Sequence, residues 1–342
     1  MKDALNVSPH HLVNSIEVLD LKRTKHVEEI PQNSPQWFEA QPKMHDPQIA
    51  HQPIVGDDII GTKNQHTGAL AESFKVKNIN NYILNVKFSS QDPVEKQLEA
   101  LIANPCKSIF RLTLDFTSVS SLSEKDISLL GKFLKAYGSN LRTLNLKIYE
   151  TTKLTIKGYL RLANLISNLK SLTKLNLKLG LNDKAMQWFN YLAEGIKRLN
   201  HLTELGVIIR NARDIIDLVI NNLAQCIAHH AGLTTLKCTI DEYTEYNLSD
   251  KSVSFLASSI TKLKKLKQLK LDFHKANLSQ QSLSSIANAL KPLTKLESLS
   301  FSNGDNDNFS DQNGKEFAQS IANLQNLISL NLYLGECSKV TD

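Results

Sequence analysis

The sequence predicts an α/β solenoid, with a parallel sheet on its inner side and helices on its outer side. Two periodic signals carry this expectation. An apolar line of the form LxxLxLxΦ, with Φ any apolar residue, recurs eight times, starting at Ile109, Leu141, Leu172, Leu202, Leu233, Leu266, Leu296 and Leu327. The starts are 32, 31, 30, 31, 33, 30 and 31 residues apart, a period that belongs to repeat architectures. An apolar–Ala pair with helical spacing stands ten residues ahead of six of these lines, at Leu162-Ala163, Leu192-Ala193, Leu223-Ala224, Leu256-Ala257, Ile286-Ala287 and Phe317-Ala318.

Each line ends in strict alternation, as in Leu172, Leu175, Leu177 and Leu179, and period two means a short strand with one buried face. Each Ala pair is followed three residues after the Ala by Ile or Leu, which suits a helix turning one stripe to the sheet, with Ala where the approach is closest. Ser123, Ser249, Ser279 and Ser310 each follow an apolar residue and precede a polar turn, the pattern of an N-cap with a hydrophobic staple. Tyr82, Leu84, Val86 and Phe88 form a degenerate first repeat, followed by a short helix over Val94–Ala103 that Pro105 ends.

The units so defined resemble the leucine-rich repeat family, and by repeat length its ribonuclease-inhibitor-like branch. The resemblance covers about residues 81–334 and implies a right-handed horseshoe of eight to nine repeats within residues 77–342. The chain departs from the family in one respect. The Asn or Cys that would follow three residues after the third consensus Leu is replaced by Tyr149, Gly180, Arg210, Asp241 and His274. In the family that Asn forms a ladder between turns.

Residues 1–76 are different. Five of the nine prolines lie between Pro31 and Pro53, among Gln, His and Asn, so residues 22–75 read as an irregular arm. Ahead of it, Ile16, Leu19 and Leu21 match the strand template. At the other end, only Gly335–Asp342 follow the last strand, so either the chain is cut there or something covers that end. Charge divides along the same boundary: residues 1–76 hold 7 Lys+Arg and 10 Asp+Glu, and residues 77–342 hold 33 and 24. No stretch approaches the roughly eighteen apolar residues of a membrane span, and the first residues lack the apolar core of a secretory signal. Cys106, Cys226, Cys238 and Cys337 are scattered, as in a reducing compartment, so a cytoplasmic location is expected.

Motifs for chemistry are lacking: the sequence has no GxGxxG, no phosphate loop and no nucleophile elbow. The adjacent pairs His10-His11 and His229-His230 are poor metal forks. Asp305, Asp307, Asp311 and Glu316 depart from a calcium loop at Phe309 and Ser310, so no metal or other cofactor is expected. The run Lys262, Lys264, Lys265, Lys267 and Lys270 lacks interleaved aromatics, which disfavours nucleic acid. Trp37-Phe38, between prolines, is either a short binding motif or a flap over the first repeat.

What remains is the inner sheet face. If positions four, six and eight of each line are buried, positions three, five and seven look outward. Those positions hold Arg111, Thr113 and Asp115; Thr143, Asn145 and Lys147; Lys174, Asn176 and Lys178; Glu204, Gly206 and Ile208. They continue with Thr235, Lys237 and Thr239; Gln268, Lys270 and Asp272; three serines; and Ser329, Asn331 and Tyr333. Six positive and three negative charges give a positive centre at Lys147, Lys174 and Lys178, with rim tyrosines at Tyr149, Tyr243, Tyr246 and Tyr333. The expected function is non-enzymatic binding of a polar or acidic protein by a monomer. The family resemblance also brings Ran-type GTPase activation and substrate reception in ubiquitin ligation into view. The Lys/Asn/Ser/Ile-rich repeats are similar to those of protozoa and of effectors that intracellular bacteria deliver into host cytoplasm.

Overall fold

The computed structural model describes residues 19–20, 77–80, 83–103, 109–149, 154–180, 185–210, 212, 215–241, 245–304 and 306–334. The chain divides into two units, residues 1–21 with 69–342, and residues 22–68. All described residues belong to the first unit. Most of the expected arm, including Trp37-Phe38, lies outside them, as do His10-His11, Tyr243, Cys106 and Cys337.

Strands and helices alternate along the chain. After β1 (Leu19–Asp20) and β2 (Lys77–Asn80) come β3 (Ile83–Lys87), α1 (Val94–Ala103), β4 (Arg111–Asp115), α2 (Glu124–Tyr137), β5 (Thr143–Ile148), α3 (Ile156–Ser167), β6 (Lys174–Gly180) and α4 (Ala185–Lys197). The series continues with β7 (Glu204–Arg210), α5 (Ile216–His229), β8 (Thr235–Ile240), α6 (Asp250–Ile260), β9 (Gln268–Asp272), α7 (Gln280–Leu290), β10 (Ser298–Ser302), α8 (Asp311–Ala322) and β11 (Ser329–Tyr333). The eleven strands form one sheet in the order β1-β11-β10-β9-β8-β7-β6-β5-β4-β3-β2. From β3 to β11 every pair is parallel and every strand lies beside its neighbour in sequence.

The register follows the apolar line without a shift. Leu112, Leu144, Leu175, Leu205, Leu236, Leu269, Leu299 and Leu330 stand side by side, as do Leu114, Leu146, Leu177, Val207, Cys238, Leu271, Phe301 and Leu332. Up to β10 these side chains join the helix stripes, including Ala163, Ala193, Ala224, Ala257 and Ala287, in one buried core, and Leu330 and Leu332 pack against it partly buried. Cys226 and Cys238 are buried thiols within it, and burial pushes both up to about 12, which keeps them protonated.

Most returns from helix to strand use one turn, ΦxxΦ, and the return after α2 uses the same turn with Gly138 in the first place. Its backbone bonds repeat from unit to unit: Leu172 N–H to the Leu169 carbonyl at 3.0 Å, Leu202 to Leu199 at 3.1 Å, Leu266 to Leu263 at 3.0 Å and Leu296 to Leu293 at 2.9 Å. In the turn before β8, His230 takes the first apolar place, with its Nε2 3.1 Å from the Ile196 carbonyl. Helix starts are capped as expected at Ser123, Ser249, Ser279 and Ser310, and additionally at Thr155. The caps are also stitched from helix to helix. A first-turn acid of one helix accepts from the cap of the next: Glu124 from the Thr155 hydroxyl, Asp217 from the Ser249 N–H at 3.0 Å, and Asp250 from the Ser279 hydroxyl. Each acid also lies where the positive end of its helix dipole favours it.

Both sheet edges carry strands outside the parallel series. β2 pairs antiparallel with β3, an element without a strand-template signal. β1 pairs antiparallel with β11, opposing Leu19 to Leu330 and Asp20 to Ser329. The extra strand expected near residues 16–21 therefore exists over two residues and lies at the far edge, beside β11.

Two outcomes follow from this packing. A Cβ at Gly195 would lie 2.9 Å from the Ala163 carbonyl oxygen, where α4 crosses α3. Ala has roughly 1 kcal/mol better helix propensity than Gly, yet here it must displace backbone. Gly195→Ala should therefore destabilise by about 1–3 kcal/mol in urea unfolding, and a gain in stability would show that α3 and α4 can part freely. The second concerns His230. Burial first, and then His229, hold its imidazole below the ordinary value of 6.5, against the Ile196 hydrogen bond that pulls upward. The unfolded chain thus binds the proton more readily, so this residue's contribution is present above pH 6.5 and is lost as pH falls through the lowered folded value. His230→Leu, which restores the residue used in the neighbouring turns, should flatten the acid limb of melting temperature against pH. An unchanged limb would assign it to other groups.

Candidate binding face

The described helices all bury their stripes against one face of the sheet, and positions three, five and seven of each repeat stand on the other. Those positions fall into three rows across the strands, as the strand template requires. The first runs Arg111, Thr143, Lys174, Glu204, Thr235, Gln268, Ser298, Ser329. The second runs Thr113, Asn145, Asn176, Gly206, Lys237, Lys270, Ser300, Asn331, and the third Asp115, Lys147, Lys178, Ile208, Thr239, Asp272, Ser302, Tyr333.

Rows of in-register neighbours one strand spacing apart interact across the strands. Asn176 donates through Nδ2 to Asn145 Oδ1 at 2.8 Å, and Asn145 donates to Thr113 Oγ1 at 3.1 Å. This amide relay leaves Asn145 only 3% exposed. Lys147 pairs with Asp115 at 2.9 Å, Lys174 pairs with Glu204, and Lys270 lies 3.6 Å from Asp272 within one strand. Burial acts to raise the Asp115 carboxyl, but hydrogen bonds from Thr117 and Lys147 outweigh it and hold the group below its usual value.

The pairing alters the expected electrostatics. Lys147 and Lys174 do not form a free positive centre, because each is matched to an acid on the adjacent strand. The face carries six positive and three negative charges, a net +3, and three of its lysines pair with its three acids. Asn145 and Asp272 are buried, so a partner meets the ends of their neighbours rather than these side chains.

The rim also differs from the expectation in part. Tyr149 lies against two cations, with Lys178 Nζ 5.4 Å and Arg210 Cζ 5.1 Å from its ring centre. Arg210 in turn donates through Nε to Asp241 at 2.6 Å. Tyr333 is half exposed and tilts against His274, their ring centres 6.2 Å apart. Gly304 makes that approach possible, since a Cβ there would meet the Tyr333 ring at 2.3 Å. Tyr246, by contrast, is 2% exposed and bridges to Ala276, so it is a core residue and not a rim anchor. Arg210 and Asp241 were absent from the expected contact set. Their signal was available: they share the position three after the third consensus residue, on adjacent strands with opposite charge.

Among the described residues, no three His, Cys, Asp or Glu side chains come together as metal ligands. No described helix is long and apolar enough to cross a membrane. No protein-family model matches the chain, and no curated protein matches it.

The relay makes an ordered prediction. Asn145 serves two partners and is buried, whereas Asn176 ends the relay and is only partly buried. Asn145→Ala should cost about 1–3 kcal/mol in urea unfolding, since it leaves a buried hydroxyl and an amide unmatched, and Asn176→Ala clearly less. Equal costs would mean that the relay does not hold the strands together.

Proposed function

We propose that the stack of units is a leucine-rich repeat solenoid of the ribonuclease-inhibitor-like branch, and that its open sheet face binds a protein partner without catalysing a reaction. One observation carries this: three in-register rows of mostly polar side chains cross eight parallel strands, β4 to β11, on the side away from the helices. Eight strands at about 4.8 Å spacing, each roughly 17 Å long, offer on the order of 650 Å², close to one side of a standard protein–protein interface.

The partner's chemistry follows from the charge balance of the face. Six cations against three acids give the face a positive excess, which steers a polar or acidic protein toward it. Tyr149 and Tyr333 supply half-buried aromatic surface at the rim, the residue type that anchors interfaces. The chain acts as a monomer in the cytoplasm, or in host cytoplasm if it is a delivered effector. GTPase activation and ubiquitin-ligase substrate reception rest on the family resemblance alone, and no side-chain arrangement favours either.

The test is affinity capture from eukaryotic cytosol with the full chain. Arg111→Glu, Lys178→Glu and Lys237→Glu together should lower capture of a bound protein tenfold or more while the melting temperature holds, and wild-type capture should weaken as salt rises. Lys147 and Lys174 are poor probes, because reversing either sets two acids side by side. Capture unchanged by the triple reversal and by Tyr149→Ala would place the partner elsewhere.

A further inference from the structure

The helix-to-strand turns form a second surface, along the sheet edge where the strands begin. Six of them, residues 138–142, 168–173, 198–203, 230–234, 261–267 and 291–297, feed strands that pair without a shift in register. Their central residues therefore fall into lines along that edge. These turns hold nine Lys and Arg residues, all exposed, against one acid, Glu297. The density peaks before β9 and β10, where Lys262, Lys264, Lys265, Lys291 and Lys295 crowd two adjacent turns. Glu297 is taken by Lys267 at 2.7 Å.

Helix dipoles do not account for this charge. Six helices end at these turns, each carrying roughly −0.5 at its C-terminus, or about −3 together. The side chains supply nine positive charges and one negative, a net +8. The opposite ends of the helices carry the acids instead, among them Glu124, Asp217, Asp250 and Asp311.

The cationic row also has apolar ends. Phe110 and Ile328 both stand one residue ahead of a strand, β4 and β11, and are 42% and 57% exposed. Seven strand spacings separate them, roughly 34 Å. Basic residues bracketed by exposed apolar side chains match the interface of an anionic bilayer, where lysines meet headgroups and apolar groups enter the acyl boundary. Nucleic acid fits less well. The six turns contain no Phe, Tyr or Trp to stack on bases, and the cations are mainly lysines, which lack the bidentate fork.

We propose that this edge docks peripherally on an anionic phospholipid membrane, with the lysines of the turns before β9 and β10 supplying attraction and Phe110 and Ile328 supplying insertion. The surface is separate from the open sheet face, so both can be occupied at once.

The test is co-sedimentation of the full chain with vesicles of phosphatidylcholine alone or with about 30% phosphatidylserine. Binding should require the anionic lipid. Lys264→Glu, Lys265→Glu and Lys295→Glu together should weaken it by roughly a hundredfold. Phe110→Ser with Ile328→Ser should leave low-salt binding but abolish the part that survives about 0.5 M salt. All five residues are exposed, and circular dichroism and melting confirm folding of each variant. Equal binding to neutral vesicles, or binding indifferent to the triple reversal, overturns the proposal. So does competition by a short DNA duplex combined with indifference to the Phe110 and Ile328 changes, which would mark a phosphate-backbone surface instead.

Discussion

The parallel register is the constraint from which the other features follow. Leu112, Leu144, Leu175, Leu205, Leu236, Leu269 and Leu299 occupy one line, and each can be buried only if its neighbours sit at the same height. A slip of one residue in any strand would turn its apolar set toward the open face and bring its polar set inward. No single unit encloses a core; burial is shared between neighbours, and the ΦxxΦ turn resets the height at the start of each strand. The Ala positions on the helices serve the same constraint, because a larger residue would lift the helix off the strands it must cover.

The same constraint sorts charge in two ways. On the sheet face, residues in one row are a strand spacing apart, so opposite charges on adjacent strands come together and Lys147 and Lys174 meet acids. On the turn edge, the exposed residues between the two apolar anchors of each turn find few acids on neighbouring turns, and the cations accumulate. A face with more polar variety and an edge with more net charge are thus products of one geometry.

Local substitutions show how far the framework tolerates exceptions. His230 and Cys238 replace leucine at core positions and remain buried, His230 by bonding to the Ile196 carbonyl and Cys238 by its small size. Asn303 takes the last apolar position of its line and is fully buried, while Asn306 reaches across to the Leu278 carbonyl at 3.0 Å. Three residues after the third apolar residue of each line, where Tyr149, Gly180, Arg210, Asp241 and His274 stand, there is no Asn. Elsewhere, side-chain amides join neighbouring units through Asn145 and Asn176 on the sheet, and through Asn277 and Asn308 in the loops.

Most of the fold was legible because it is periodic. The spacing of apolar residues fixed β4 to β11, the Ala pairs fixed the helices behind them, and Ser before a polar turn marked four of the caps. The three rows of the open face followed from alternation alone. What the sequence left undecided depended on contacts between residues far apart in the chain. The antiparallel strands β1 and β2 carry too little pattern to place, and β1 finds its partner some three hundred residues away. Pairing across strands decided that Lys147 and Lys174 are neutralised, and packing around the loop at Ala276 decided that Tyr246 is buried rather than at the rim. Composition and period determine which face a side chain occupies; only the neighbours brought beside it determine whether its charge or its ring is still available to a partner.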